Sequence, residues 1–302
     1  MSEKRTDETT DLKEKTISGI HWRFLTTVTQ LLLTFSVGVL LARILPPEDF
    51  GLLGMAIIFT GFADLFATVG MGPAIVQRKE LDDATIGTAT FVSVLTSLAL
   101  TAFFFFAAPA IAAFFHEPRI TLILKVLSVL FLLNGLSAIS RALIVRELKF
   151  KFLFYQEIVS FLFGYGVLAV VMALHGFGVW SLVAGTFLKT VISSALLLYL
   201  SPRPLRLPFD RKKLSGIFGF GAGVSINDIL WYTSDNIDYL LISRYFSPTA
   251  LGFYTRAFDI MKQPVTRFSN VISSVTFPAY SRIQEDRERM GRIYLRGVDI
   301  VS

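Results

Sequence analysis

The sequence predicts an all-α polytopic membrane protein. Three observations carry that reading. Hydrophobic residues make up 53% of the 302 and charged residues only 17%, with mean hydropathy +0.59; soluble domains run at about 45–50% and about 25%. Apolar stretches of about 20 residues or more, the length a helix needs to cross hydrocarbon, recur along the chain. The basic residues outside those stretches gather on alternate connections, as they do in multi-pass proteins.

Taken in order, the first sixteen residues are polar and of mixed charge. The apolar stretch after them is too long for the core of a secretory signal. Residues 1–16 are therefore expected to form a cytoplasmic tail. The first span, about Ile17 to Leu45, ends at Pro46-Pro47, which cannot continue a helix. The second covers about Leu52 to Val76. The third covers Ile86 to Phe115 and is expected to break at Pro109. Spans four, five and six cover Ile120–Val145, Ile158–Leu174 and Phe177–Leu200. Residues 17–200 thus form an N-terminal six-helix lobe, and residues 201–213 a basic, proline-rich cytoplasmic linker. Residues 214–302 begin a C-terminal lobe, with spans at Ile217–Tyr245 and about Phe253–Tyr280 and the start of a third near Val298.

Charge fixes the expected orientation. Of 29 Lys and Arg residues, nearly all that lie outside spans fall on one side, and the other side holds only Arg119 and Arg244. That places the N-terminus in the cytoplasm. The net charge of +6 is then a topology signal directed at anionic lipid headgroups rather than at nucleic acid. Cysteine is absent, which excludes a disulfide framework and Cys-based zinc binding. No histidine cluster or phosphate loop is present, so no catalytic residue, metal or cofactor is assigned. Asp82-Asp83 is a weak pair for metal binding.

An internal repeat organises the chain. Leu41–Leu53 reads LARILPPEDFGLL and Ile242–Tyr254 reads ISRYFSPTALGFY. Arg43, Pro47 and Gly51 fall on Arg244, Pro248 and Gly252, so the pattern R-x3-P-x3-G closes spans one and seven. Six spans separate the copies, an even number, so the repeat is parallel about an axis along the membrane normal.

Polar side chains inside spans mark the candidate site. An Asp at the bilayer centre costs about 2.5–3.5 kcal/mol on insertion scales. Span seven nevertheless carries Asp228, Asp235 and Asp238, which with Tyr232 share one helical face. Span one bears a matching stripe of Arg23, Thr27, Gln30 and Thr34. Span eight carries Arg256, Asp259, Lys262, Gln263 and Arg267. Two readings stand side by side: a wall of a polar cavity, and a ladder in which Arg256, Lys262 and Arg267 neutralise the acids of span seven. Asp64 and Lys189, mid-span in two and six, form either an ion pair or a substrate or proton site.

The stretches LLARILPPEDFGLLGMA and DNIDYLLISRYFSPTALGFYTRA resemble the polysaccharide-transporter branch of the MOP flippase superfamily, the Wzx-like flippases, and most of all the colanic-acid exporter type. The resemblance implies a MOP-like two-lobe helical bundle of six plus six helices around a central cavity, working by alternating access. The first lobe is expected complete and the second partial, about eight transmembrane helices in a C-terminally truncated chain. It further implies movement of undecaprenyl-diphosphate-linked oligosaccharide across the bacterial inner membrane, and hence no enzyme activity. Arg23, Arg256, Lys262 and Arg267 would meet the diphosphate. Asp228, Asp235 and Asp238 would meet sugar hydroxyls or couple transport to protons or sodium. Expected partners are the lipid-linked oligosaccharide, membrane lipids, and a polysaccharide polymerase with other assembly proteins. An ion-coupled drug antiporter of the same superfamily and an integral-membrane glycosyltransferase or polymerase remain as alternatives.

Overall fold

The computed structural model of the chain describes residues 2–67, 75–76, 81–202, 226–258 and 261, with side chains described for all of these except 2–17, 62–67 and 226–229. Helix accounts for 90% of the structure, with no strands among the described residues. The helices are α1 (Ser2–Ile44), α2 (Pro47–Ala67), α3 (Asp83–Phe115), α4 (Ile120–Arg146), α5 (Phe150–Ser160), α6 (Ala169–Leu174), α7 (Val179–Tyr199) and α8 (Ile226–Tyr245). A π-helical segment, Phe161–Leu168, joins α5 to α6 without interruption. Residues 248–258 are again helical. Among the described residues five spans are long and apolar enough to cross a membrane: Ser18–Ile44, Asp83–Phe115, Ile120–Arg146, Phe150–Leu174 and Val179–Tyr199. The chain divides into two units, Met1–Thr255 and Arg256–Ser302, and only 256–258 and Met261 of the second are described.

In hydrocarbon a backbone N–H or C=O finds no water, so helix is the form that satisfies it within one segment. The boundaries follow from local chemistry. Pro47 opens α2 as its first residue, where its missing N–H loses nothing. Asp82 caps α3, accepting the N–H of Thr85 at 3.1 Å. Pro109, expected to break the third span, lies inside an unbroken α3; in a membrane helix, neighbouring groups absorb the one lost bond. The fifth helical rod begins at Phe150 rather than Ile158, and α1 begins at Ser2 inside the expected tail.

Helices α3 and α4 form an antiparallel hairpin and pack most extensively, and α7 lies against the π segment, α4, α5 and α6. The main core joins Leu41, Phe50, Met55, Ile120, Leu124, Leu182 and Leu251, all buried. Hydroxyls tie the helices together: Ser93 Oγ donates to Gly135 O at 2.9 Å, and Thr101 Oγ1 to Ser128 O at 3.0 Å. Such interhelical bonds and small residues replace the hydrophobic drive that lipid does not supply.

The sequence repeat is also a repeat of structure. Both α1 and α8 end at the equivalent residue, Ile44 and Tyr245, and both chains re-enter helix at the proline, Pro47 and Pro248. The closing bonds match as well: Leu45 N to Leu41 O at 2.8 Å, and Phe246 N to Ile242 O at 2.9 Å. The two turns meet. A Cβ on Gly51 would overlap the carbonyl oxygen of Pro248, and a Cβ on Gly252 would overlap that of Pro47. One turn of helix further on, Gly54 lies against Thr255, its own equivalent, with a Cβ position 3.2 Å from Thr255 Cγ2. Gly51 meets Pro248 as Gly252 meets Pro47, and Gly54 meets its own equivalent, the reciprocity that a local two-fold axis gives. The copies are parallel, since both arrive at this end of the bundle.

The π segment brings the rod into backbone contact with α7. A Cβ at Gly164 would overlap the backbone nitrogen and Cα of Lys189, whereas one at Gly166 meets nothing nearer than 3.5 Å. Gly164→Ala is therefore expected to lower unfolding free energy by about 1–3 kcal/mol, the usual range for overpacking, and Gly166→Ala to be nearly neutral. Thermal unfolding of the two variants in detergent measures the contrast.

Candidate functional site

Two groups of polar side chains stand out in the described structure. One lies within the bundle and the other at the end where the two repeat turns meet.

Inside the bundle, α8 is held to α2 by Tyr232, whose hydroxyl donates to Ile58 O at 2.7 Å across Gly61. On the same face Asp235 is exposed and Asp238 half-buried. Asp238 accepts from the hydroxyl of Tyr254 in the helix that follows the Pro248 turn. Its depth-matched partner is thus Tyr254, two residues before the Arg256 that the hairpin numbering predicts. On α1, Arg23 is exposed, Gln30 and Thr34 are half-buried, and Thr27 Oγ1 donates back to Arg23 O at 3.0 Å. Arg256 is half-buried in the second unit. Asp64 and Asp228 fall within α2 and α8, but their side chains lie outside the described residues, as do Asp259, Lys262, Gln263 and Arg267 altogether. No group of three or more metal-ligating side chains occurs among the described residues.

Lys189, on α7, points its Nζ over the Phe161 ring at 5.7 Å from the centroid. The described acid acting on it electrostatically is Glu157 of α5. Glu157 is itself paired with Arg141 of α4 at 2.7 Å. Around them Gln156 Nε2 donates to Ser193 Oγ at 2.7 Å, and Ser194 Oγ reaches Leu133 O at 3.1 Å and Ser137 Oγ at 3.2 Å. Gln156 Oε1 and Ser140 Oγ are buried with no hydrogen-bond partner. Sequence reading missed Glu157 because it fell one residue before the expected start of span five. The helical rod starts earlier, and that puts the acid inside. Arg141 was a visible signal: a guanidinium within a span calls for an acid at equal depth.

At the other site, Arg119 forks onto Glu117, with Nε to Oε1 at 2.7 Å and Nη2 to Oε2 at 2.8 Å, and reaches Glu48 at 2.6 Å. The Arg119 hydrogen bond holds the Glu117 carboxyl below its ordinary range and raises the guanidinium in turn. Arg244 donates to Nδ1 of His116, which caps α3 in a left-handed conformation at φ 56°. The same guanidinium stands 5.2 Å from the centroid of Phe114, within cation–π range. Arg119 and Arg244, the two cations expected on this side, are both engaged.

Asp49 sits between these turns. Burial pushes its carboxyl up, Glu48 adds to the rise, and the Val179 N–H and Arg119 oppose it. Its Oδ2 is buried with no hydrogen-bond partner, in keeping with burial as the dominant cause.

Comparison with known proteins gives a consistent answer. Residues 40–302 match the model of a family described as polysaccharide biosynthesis protein. The chain belongs to this family. Among similar proteins of the family's kind, the lipopolysaccharide biosynthesis protein WzxC of Escherichia coli (strain K12) is 27% identical over 297 residues, 96% of this chain and 59% of that protein. The succinoglycan biosynthesis transport protein ExoT of Rhizobium meliloti (strain 1021) is 24% identical over 97% of this chain and 60% of its own length. The teichuronic acid biosynthesis protein TuaB of Bacillus subtilis (strain 168) is 24% identical, over 90% and 56% respectively. The chain therefore spans about 60% of the length of these relatives. No solved structure matches it.

The raised Asp49 carboxyl has a definite sign. Its stabilising contribution is complete below the ordinary carboxyl value of about 3.9 and is lost as pH rises through the raised value. Asp49→Asn, neutral at every pH, is expected to abolish that loss. Thermal unfolding followed upward from about pH 4 should show the natural chain losing stability relative to the variant.

Proposed function

We propose that this family member is a flippase: a carrier, not an enzyme, that moves undecaprenyl-diphosphate-linked oligosaccharide units across the bacterial inner membrane for exopolysaccharide or lipopolysaccharide synthesis. The observation that carries the proposal is the family match over residues 40–302, together with relatives named for polysaccharide biosynthesis and, in ExoT, for transport. The architecture supports it. A parallel repeat is one of the arrangements used by carriers whose two halves rock against each other.

In this reading the N-terminus faces the cytoplasm, because the basic connections gather on its side. The Pro47 and Pro248 turns then lie at the periplasmic end. Arg23, Gln30, Asp64, Lys189, Asp228, Asp235, Asp238, Arg256, Lys262 and Arg267 are the substrate contacts this proposal names. Cations would take the diphosphate and acids the sugar hydroxyls, while the lipid tail stays in the bilayer. Coupling to protons or sodium, and contact with a polymerase of the same assembly line, belong to the same proposal.

Deleting the gene should leave lipid-linked oligosaccharide on the cytoplasmic face and remove the glycan from the cell surface. The gene supplied in trans should restore it. Normal surface glycan in the deletion strain would end the reading. Asp235→Asn and Arg267→Gln each remove one charge-assisted contact, worth about 1.5–3 kcal/mol. Export at limiting substrate is then expected to fall about 10- to 100-fold. Quantifying surface glycan against total protein in the membrane checks both.

A further inference from the structure

We infer that the two R-x3-P-x3-G turns form a two-part latch that closes the periplasmic end between the lobes. One part is the backbone crossing at Gly51 and Gly252, and the other is Arg244 of the second copy held on His116 and Phe114 of the first. The inference rests on the carrier reading, because only a carrier needs that end to open.

The crossing has no side-chain bulk in it. At Gly51 and Gly252 the hydrogen that stands where a Cβ would be points at the proline carbonyl of the other turn, an arrangement suited to Cα–H···O contact. Such a contact is close when made and cheap to break, since no long side chain has to be re-ordered. Behind it lies a sealed layer: Leu251 and Leu52 are almost fully buried, and Thr255 is 9% exposed against Gly54.

The second part gives the latch its direction. Arg43, which the repeat sets equivalent to Arg244, is exposed. Arg244 instead reaches across to the turn between α3 and α4, donating to His116 and lying over Phe114. The neighbouring charges are accounted for within the first lobe, where Arg119 is taken by Glu117 and Glu48. The Arg244 contact therefore joins the two copies without competing for those acids.

Residues 1–302 contain no cysteine, and with any cysteine elsewhere in the full-length protein replaced by serine, single-cysteine labelling gives a direct test. Two single-cysteine reporters are placed in the full-length protein in cell membranes. Thr255→Cys lies behind the crossing, and Ser140→Cys is buried within the first lobe, away from it. A membrane-impermeant maleimide is then added from the periplasmic side. In the otherwise natural chain both are expected to be protected. Adding Arg244→Gln should raise the labelling rate of Thr255→Cys about tenfold, the shift expected from losing a charge-assisted contact. Gly51→Ala, which wedges the crossing, should raise it further. Ser140→Cys should stay protected in both. Unchanged labelling of Thr255→Cys in both variants overturns the latch, as does labelling that rises equally at Ser140→Cys, which would mean unfolding. The assay needs no substrate. A latch that opens in a strain whose surface glycan never depended on the gene leaves the gate standing and removes the proposed cargo instead.

Discussion

The arrangement of this chain depends on a backbone-to-backbone contact between two turns of identical design. Gly51 and Gly252 allow the carbonyls of Pro248 and Pro47 to enter space that any side chain would fill. Close approach of this kind is how helices associate in lipid, where apolar burial gives no advantage over the acyl chains. Everything near the crossing follows from it. The prolines end one helix and begin the next at a fixed angle. The buried residues Leu41, Leu45 and Phe50 from the first copy and Leu251 from the second pack into a single core. Because these contacts are reciprocal, neither copy of the turn needs a separate surface to recognise the other.

A second constraint is the cost of polarity in hydrocarbon, and the chain meets it in two ways. Isolated hydroxyls bond back to their own helix: Thr26 to Trp22 O, Thr90 to Ile86 O, Thr186 to Leu182 O. Charged groups instead find partners on other helices, as Arg141 does with Glu157 and Asp238 with Tyr254. Lys189 is an intermediate case, its stem packed where Gly164 presses on its backbone and its head over the Phe161 ring. The π segment makes this possible, since its wider turn carries Gly164 into contact with α7. Segments of this kind recur at functional positions because they re-aim side chains at a local cost in hydrogen-bond geometry.

Much of this was legible in the sequence wherever the signal is local. Helix ends set by Pro46-Pro47 and by the Pro248 turn need no tertiary information, and the repeat declares itself through three residues at one offset. The start of the fifth helical rod was not legible. Lys149 and Lys151 flank it and resemble a loop, yet Phe150, Phe152, Phe154 and Tyr155 give that stretch an interfacial helix. There Lys151 lies over the Trp22 ring at 5.7 Å. The misplaced boundary hid Glu157, and with it the acid that acts on Lys189. Partner choice was illegible for a different reason. Depth matching along a hairpin names a level, not a side chain, and at the level of Asp238 the hydroxyl of Tyr254 is the group that reaches the carboxylate.

The repeat is most informative where it fails. In backbone the two turns are nearly interchangeable, but Glu48 and Asp49 of the first correspond to Thr249 and Ala250 of the second. The first turn is tied into its own lobe by Glu48 on Arg119 and by Asp49 beside the start of α7. The second has no acids with which to do the same. Its cation, Arg244, is spent on the opposite lobe. A symmetric crossing by itself has no preferred side from which to open. Fixing one turn to its lobe and leaving the other held across the axis supplies that preference. In the proposed opening the Pro47 turn would stay with the α3–α4 and α6–α7 turns, and the Pro248 turn would move away with α8. Opening then breaks the glycine crossing, the Arg244 contact, the Tyr232 hydrogen bond to Ile58 O and the packing of Leu251, and a bound ligand's differential affinity has to offset their sum.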